Sequence, residues 1–441
     1  MRTWAIGLAS IAAAVAALAA AVAGGQPMNV ERSRSFVVGT PRGGARAERV
    51  DAWRTGMSRT LLPTSGLRSE WTVSLVGVLV DRAPLVDSNG TIYVVGTRGE
   101  AIALARDGTE LWRVPTCVAG APGPAALLSD DTLVLVCGSG EWEEAIGVRE
   151  ARVRWRTRFG RAAAVAPAPL ALDDGGIVVA TTRDIALLDA EGRERMRTTL
   201  REPASAPLVS AGGKVIVVAE SGAVWSWALG EAEPVRVSSF GAPIDGAAAL
   251  ADDHTLVAVT AGRAHLSAVD LLRGTVALRV ALRTGALLGP PAMNGATAYL
   301  SLMTSAGEFA IAIDAAGTEL GRASLMGRSR SASSDAGADA RLRDRHTAPL
   351  VDAANTLVYA LADGSLGVVA SDRAAPGRGT PGSWGESGEI LAQACPAFLG
   401  SADSNSPPVA GLAPLAPGAF VAACHSGTVI AVRGARPRGP Q

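Results

Sequence analysis

Lysine is nearly absent from this chain: Lys214 is the only one, and every other basic residue is arginine. The 41 basic residues are balanced by 41 acidic ones, giving a formal net charge of +0. A polyanionic partner requires a concentrated cationic surface, so nucleic acid is excluded as the expected partner. No serine lies in a G-x-S-x-G nucleophile elbow, and the four histidines, His254, His265, His346 and His425, are scattered along the chain. No two cysteines are adjacent or spaced C-x-x-C, which removes the usual metal-binding signature. Beyond the N-terminus, no apolar run is long enough to cross a bilayer.

What is present is glycine, proline and short apolar runs. Gly 51 and Pro 25, with 48% hydrophobic residues among 441, fit many short strands joined by tight turns. The N-terminus reads as a targeting segment. Arg2 supplies the charge, Trp4 to Val22 is apolar, and Ala21-Val22-Ala23 offers small residues for cleavage. Residues 1–23 are therefore a signal peptide cleaved after Ala23, or an uncleaved anchor that would be the sole membrane attachment. Residues 24–50 read as a flexible tether and 435–441 as a disordered tail.

The stretch from Ala83 to Trp112 defines a repeating unit. Ala83-Pro84-Leu85-Val86 is an apolar edge, Ser88-Asn89-Gly90 a turn, and Thr91 to Val95 a β-branched run. Arg98-Gly99 turns the chain into Ala101 to Ala105, and Asp107-Gly108 turns it into Glu110-Leu111-Trp112. The pattern returns seven more times, at Gly123-Pro124, Ala168-Pro169, Ala206-Pro207, Ala247-Ala248, Pro290-Pro291, Ala348-Pro349 and Pro408-Val409. The prolines at 84, 124, 169 and 207 are 40, 45 and 38 residues apart, the spacing of four-stranded propeller blades. The eighth copy ends after its third strand, at Val432-Arg433-Gly434. Glu70-Trp71-Thr72-Val73, before the first copy, matches the missing fourth strand. The expected fold is an all-β, eight-bladed β-propeller of four-stranded antiparallel sheets over residues 51–434, closed by an N-terminal strand in the last blade.

These units resemble the PQQ-like repeats of quinoprotein β-propellers, a family that includes the non-catalytic scaffold of outer-membrane β-barrel assembly. The resemblance rests on Gly90-Thr91-Ile92-Tyr93-Val94, Ala101-Ile102-Ala103-Leu104 and Gly108-Thr109-Glu110-Leu111-Trp112. Trp53 to Thr60 resembles the lead-in segment of such proteins. A quinone dehydrogenase of this family would be expected to carry adjacent cysteines, calcium-ligating acidic and amide residues and a catalytic aspartate. This chain has no Cys-Cys pair.

The four cysteines fall in two parallel placements. Cys117 precedes the second unit and Cys137 ends its second strand; Cys395 precedes the eighth unit and Cys424 lies in its second strand. In an exported chain this selects disulfides Cys117–Cys137 and Cys395–Cys424 from the three connectivities. Asp130-Asp131, Asp173-Asp174 and Asp252-Asp253 all fall in the first-to-second-strand turn, where aspartate bonds its own backbone; they read as turn chemistry and not as calcium ligands.

Trp225 and Trp227, two apart on a strand, read as core between blades, and Trp71, Trp112 and Trp155 as packing between sheets. Trp142 and Trp384 lie off the repeat and are the candidate exposed contacts. Two polar inserts, 327–345 and 372–389, read as surface loops.

The functional expectation is an exported, monomeric, non-catalytic scaffold of the periplasm, envelope or exterior. It uses no cofactor and no metal and binds a protein or surface ligand, envelope assembly being the version suggested by family analogy. Its rivals are a quinone-dependent oxidoreductase and a carbohydrate-binding module.

Overall fold

Local turn chemistry builds each blade. In the first, the Asp87 carboxylate accepts from the N–H groups of Asn89 and Thr91, and Gly90 takes a left-handed φ of 84° that a side chain would resist. Val86 is thereby brought opposite Ile92, and Leu85 opposite Tyr93. Strands Leu85–Val86, Ile92–Val95, Glu100–Leu104 and Glu110–Pro115 then pair in order as one antiparallel sheet.

The computed structural model describes residues 50, 51 and 55–435, apart from 118–121, 139–141, 162–166, 173, 182, 205–208, 212, 263, 282–284, 306, 326–347, 362, 371–388, 392–393 and 396–407. The signal segment, most of the tether, both inserts up to Glu389, Trp384, His346 and Pro207 lie outside the described residues. Among the described residues none is helical, and no helix is long and apolar enough to cross a membrane.

Eight sheets of this design make an eight-bladed propeller. Blade 2 begins at Pro122–Leu127, blade 3 at Leu170–Ala171, blade 4 at Val209–Ala211 and blade 5 at Ala249–Leu250. Blades 6, 7 and 8 begin at Ala286–Asn294, Leu350–Asp352 and Val409–Ala416. These first strands are the inner ones. They touch from blade to blade, and the blade 8 strand touches Leu85–Val86 of blade 1, so the ring comes round to its start.

The sixth blade opens earlier than its Pro290 anchor. Its inner strand starts at Ala286 and absorbs Pro290-Pro291 through a register shift between Leu288 and Ala292, because proline cannot donate to a ladder.

Closure follows the sequence expectation. Ser65–Ser74 pairs antiparallel with Thr428–Ala435, setting Trp71 opposite Ala431 and Val73 opposite Val429, and so forms the outer strand of blade 8. The expected four strands per blade hold in seven sheets. Blade 7 has a fifth: Met57–Ser58 from the lead-in lies parallel to Leu350–Asp352 on the inner edge. The lead-in gives its Thr55 carbonyl to Met293 of blade 6 and its Gly56 carbonyl to Val351 of blade 7. Leu62 N–H then donates to the Asp352 carboxylate at 2.7 Å, and the Leu61 carbonyl accepts from Gly418 of blade 8.

The core lies between blades. Second and third strands such as Ile92–Val95 and Ala419–Cys424 are buried throughout, whereas outer strands alternate, as Ser65–Ser74 does. Trp225 and Trp227 pack with Leu187 and Met196 between blades 3 and 4. Outer-strand tryptophans also tie two blades to the next. Trp155 of blade 2 lies on Gly192 of blade 3 and donates Nε1–H to the Ala190 carbonyl at 3.0 Å. Trp71 of blade 8 does the same on Gly108 of blade 1, reaching the Arg106 carbonyl at 2.9 Å. A Cβ at Gly108 would stand 2.8 Å from that indole, and its φ of +86° is left-handed, so glycine is required twice over.

Candidate functional site

Alternating strand direction gives the ring two unlike faces. The turn face carries the inner-to-second and third-to-outer turns and the crossing lead-in. The link face carries the second-to-third turns and the links that leave each outer strand for the next blade.

On the link face, a residue just past an outer strand donates its N–H to the end of the second-to-third hairpin of the same blade; it is the first residue past the strand in four blades and the fourth past Glu389–Leu391 in blade 7. Leu75, Leu200, Phe240, Leu325 and Cys395 donate in this way to the carbonyls of Gly427, Arg183, Gly222, Glu308 and Gly364. Each of these five side chains is buried, so each link is plugged by an apolar group. In blade 1 the place is taken by Thr116, whose hydroxyl also bonds Gly99, and Cys117 follows it.

The cysteines are joined as Cys117–Cys137, with an S–S distance of 1.97 Å, and Cys395–Cys424, at 2.02 Å. Each bond fastens the link that leaves one blade to the second strand of the next, at blades 1–2 and 7–8. Trp142 opens the third strand of blade 2 beyond Cys137, on the same face, and is 48% exposed. Cys117–Cys137 and Trp142 thus share one link-face corner of blade 2, a stapled rim with an aromatic at its edge. Tryptophan offers large contact area at low entropic cost, which suits a recognition surface.

One acid of each pair is spent on its own turn, and Asp173 lies outside the described residues. The Asp130 carboxylate accepts from Thr132 N–H and Arg149, Asp174 from Gly176 N–H, and Asp252 from the N–H groups of His254 and Thr255. His425 bonds the Val80 carbonyl through Nδ1 at 2.9 Å, holding the link into blade 1. His254 and His265 sit in separate positions of blade 5.

Two buried acids are perturbed. Burial raises the Glu308 carboxyl to about 8, with help from the nearby Asp363 charge. Burial also raises Asp352, against the hydrogen bonds from Leu62, Thr356 and Ala354 that favour its anion. Glu308 lies between blades 6 and 7, beside Tyr359, whose hydroxyl is raised by its own burial first and by the Glu308 charge second. Asp352 holds the lead-in.

A quinone-and-calcium centre does not fit these donors. The cysteines are far apart in sequence and bonded in other pairs, and among the described residues no three His, Cys, Asp or Glu side chains cluster as a metal site requires.

Sequence reasoning did not find a groove of about 610 Å³ on the outer rim between blades 3 and 4, lined in part by Trp225. The tryptophan was legible as core. That one edge of it borders an opening depends on how the two sheets splay, which no repeat pattern encodes.

Residues 144–235 match the family model described as outer membrane protein assembly factor BamB. Among solved structures, BamB from Moraxella catarrhalis is similar with a TM-score of 0.55 at 14% identity, covering 86% of this chain and 100% of that one. Quinohemoprotein alcohol dehydrogenase from Comamonas testosteroni is similar with a TM-score of 0.61 at 11% identity, covering 94% and 84%. The C-terminal WD40 domain of Sif2 is similar with a TM-score of 0.58 at 12% identity, covering 83% and 98%. At these identities the likeness is one of fold. No curated protein sequence matches the chain.

Proposed function

We propose, from the premise that this chain is a PQQ-like repeat β-propeller, that it is an exported, non-catalytic scaffold holding another protein of the cell envelope. The observation that carries this reading is the link-face corner of blade 2, where a disulfide fixes the rim beside the exposed Trp142. A rim already ordered before contact loses little entropy on binding, and a half-exposed tryptophan supplies an anchor. Two disulfides favour an oxidising compartment, and the partial match to an envelope assembly factor favours the periplasm.

The test is a photo-crosslinking residue at position 142 in the otherwise intact exported chain. The expected result is one dominant adduct with an envelope protein, formed at position 142 and absent when the residue is placed at Thr275 on the outer strand of blade 5. Equal labelling at both positions would sink the reading. So would dye-linked oxidation of an alcohol after quinone and calcium are added.

A further inference from the structure

The rim groove between blades 3 and 4 carries two donors that the fold leaves unused. Arg201 and Glu202 line it from the link that leaves blade 3; Trp225, Glu233, Val235 and Arg236 line it from the third and outer strands of blade 4 and the turn between them. Trp225 and Arg236 are directly opposite one another across the two strands, so their side chains leave the same face, toward blade 3.

Trp225 is only 7% exposed, and its indole N–H is shielded from water with no acceptor among the described residues. The contrast with other indoles is clear. Trp71, Trp155 and Trp227 each donate Nε1–H to a backbone carbonyl, at 2.9, 3.0 and 2.9 Å. A buried donor is rarely left without an acceptor, and one bordering an opening marks where an acceptor is meant to arrive.

The charges of the groove point the same way. Arg201 pairs with Glu233 at 3.7 Å, and the Glu202 carboxylate accepts from the Ser221 hydroxyl. Arg236 is exposed and has no ion pair or side-chain hydrogen bond among the described residues. One unmatched cation beside one unmatched N–H fits a carboxylate, which accepts several hydrogen bonds and favours charged donors. The rest of the surroundings fit a chain. Val235, 64% exposed, borders the groove, and Val235–Ser239 is the outer strand of its sheet, with unpaired backbone groups running alongside.

We propose that this groove binds an extended acidic peptide segment of a partner protein, one carboxylate accepting from Trp225 Nε1–H and Arg236 while a neighbouring apolar side chain covers Val235. The proposal rests on the scaffold reading above and adds a second contact, on the rim.

The test uses fluorescence anisotropy on the full exported chain with both disulfides formed. The probe is a labelled, acetylated peptide alternating valine and aspartate, compared with its valine–asparagine counterpart. The expected result is saturable binding of the aspartate peptide, and binding of the asparagine peptide about tenfold weaker or more. Trp225→Phe keeps the ring but removes the donor, and Arg236→Gln removes the charge at an exposed position. Each is expected to weaken the aspartate peptide about tenfold; Arg236→Gln, at an exposed position, keeps the melting temperature, whereas Trp225→Phe also gives up packing between blades 3 and 4 and is compared well below its own melting temperature. The proposal is overturned if the wild-type chain does not bind, if the two peptides bind alike, or if Arg236→Gln binds as wild type does. Capture at position 142 that persists alongside any of these results rejects the groove and leaves the scaffold reading standing; loss of that capture alone rejects the scaffold reading.

Discussion

Blades 3 to 5 and blades 7 to 8 perform the same geometric task with different means. In the continuous sector, the exits of blades 3 and 4 are sealed without a covalent bond by Leu200 and Phe240, both buried and hydrogen-bonded to the turn beside them, with Glu202 accepting from Ser221 at the first exit and Arg279 of blade 5 donating to the Phe240 carbonyl at the second. In the closing sector, the exit of blade 7 is sealed by Cys395, which is also bonded to Cys424 of blade 8. Glu389 of the same blade accepts from the N–H groups of Gly66 and Leu67, at 2.7 and 2.6 Å, on the strand that completes blade 8. The lead-in adds bonds to blades 6, 7 and 8. The difference teaches that burial and non-covalent polar ties suffice where chain continuity already holds neighbours together. Where outer and third strands come from opposite ends of the chain, a covalent tie and the crossing lead-in are added. Blade 1 is the informative exception: the link that leaves it carries the polar Thr116 at the plug position, and a disulfide to blade 2 follows at once.

This comparison can be broken in graded steps. The largest effect is expected from removing residues 50–74, which deletes the lead-in and the outer strand of blade 8 and bares a long edge. Loss of a single cooperative transition in calorimetry, with aggregation in size exclusion, is the expected outcome; a monomer with the original transition would show that closure is dispensable. Phe240→Ala, in the sector that has no disulfide among the described residues, should cost about 3–5 kcal/mol by denaturant titration.

Removing each disulfide as a double alanine variant should cost about 2–4 kcal/mol. The Cys395–Cys424 pair is expected to cost more, because Cys395 is itself the plug, whereas Thr116 keeps its place without Cys117. The reverse order would mean that sealing and stapling are not the same task. Glu389→Gln keeps one of the two acceptor oxygens, sets an NH2 against the other N–H and loses the charge, and about 1–2 kcal/mol is expected.

The smallest effect at acid pH belongs to Glu308, between blades 6 and 7. Its folded pKa of about 8 lies above the ordinary 4.5, so the native state holds a proton that the unfolded chain releases. That proton stabilises the fold below pH 4.5, and the contribution is lost as pH rises toward 8. Glu308→Gln should therefore match the wild type near pH 4 and exceed it near pH 8 in thermal melts; parallel pH profiles would remove the argument.

Much of this was legible beforehand because the repeat is written in turn residues and alternation. Asn89-Gly90 and Asp107-Gly108 mark turns, and Ile102 and Leu104 mark a buried strand, all from local chemistry. The match of Glu70–Val73 to a missing strand announced closure. The crossing by Met57–Ser58 was not legible, because two residues carry no period. Nor was the plug position: Leu75, Leu200, Phe240, Leu325 and Cys395 share a hydrogen bond and a burial state but no residue type. At the candidate site, Trp142 stood out because it falls off the repeat. The orphaned N–H of Trp225 did not, since only the bonds made by its neighbours reveal what it lacks.

The seam in blade 8 also imposes a timetable. Ser65–Ser74 leaves the ribosome among the first segments of the ring, yet its ladder partner, Thr428–Ala435, is among the last. For the whole of synthesis that early strand has no mate in its own chain, and a contact spanning so much sequence forms slowly. Nascent copies are thus most vulnerable to strand exchange with one another at this one strand, and a holding chaperone would have its clearest task there.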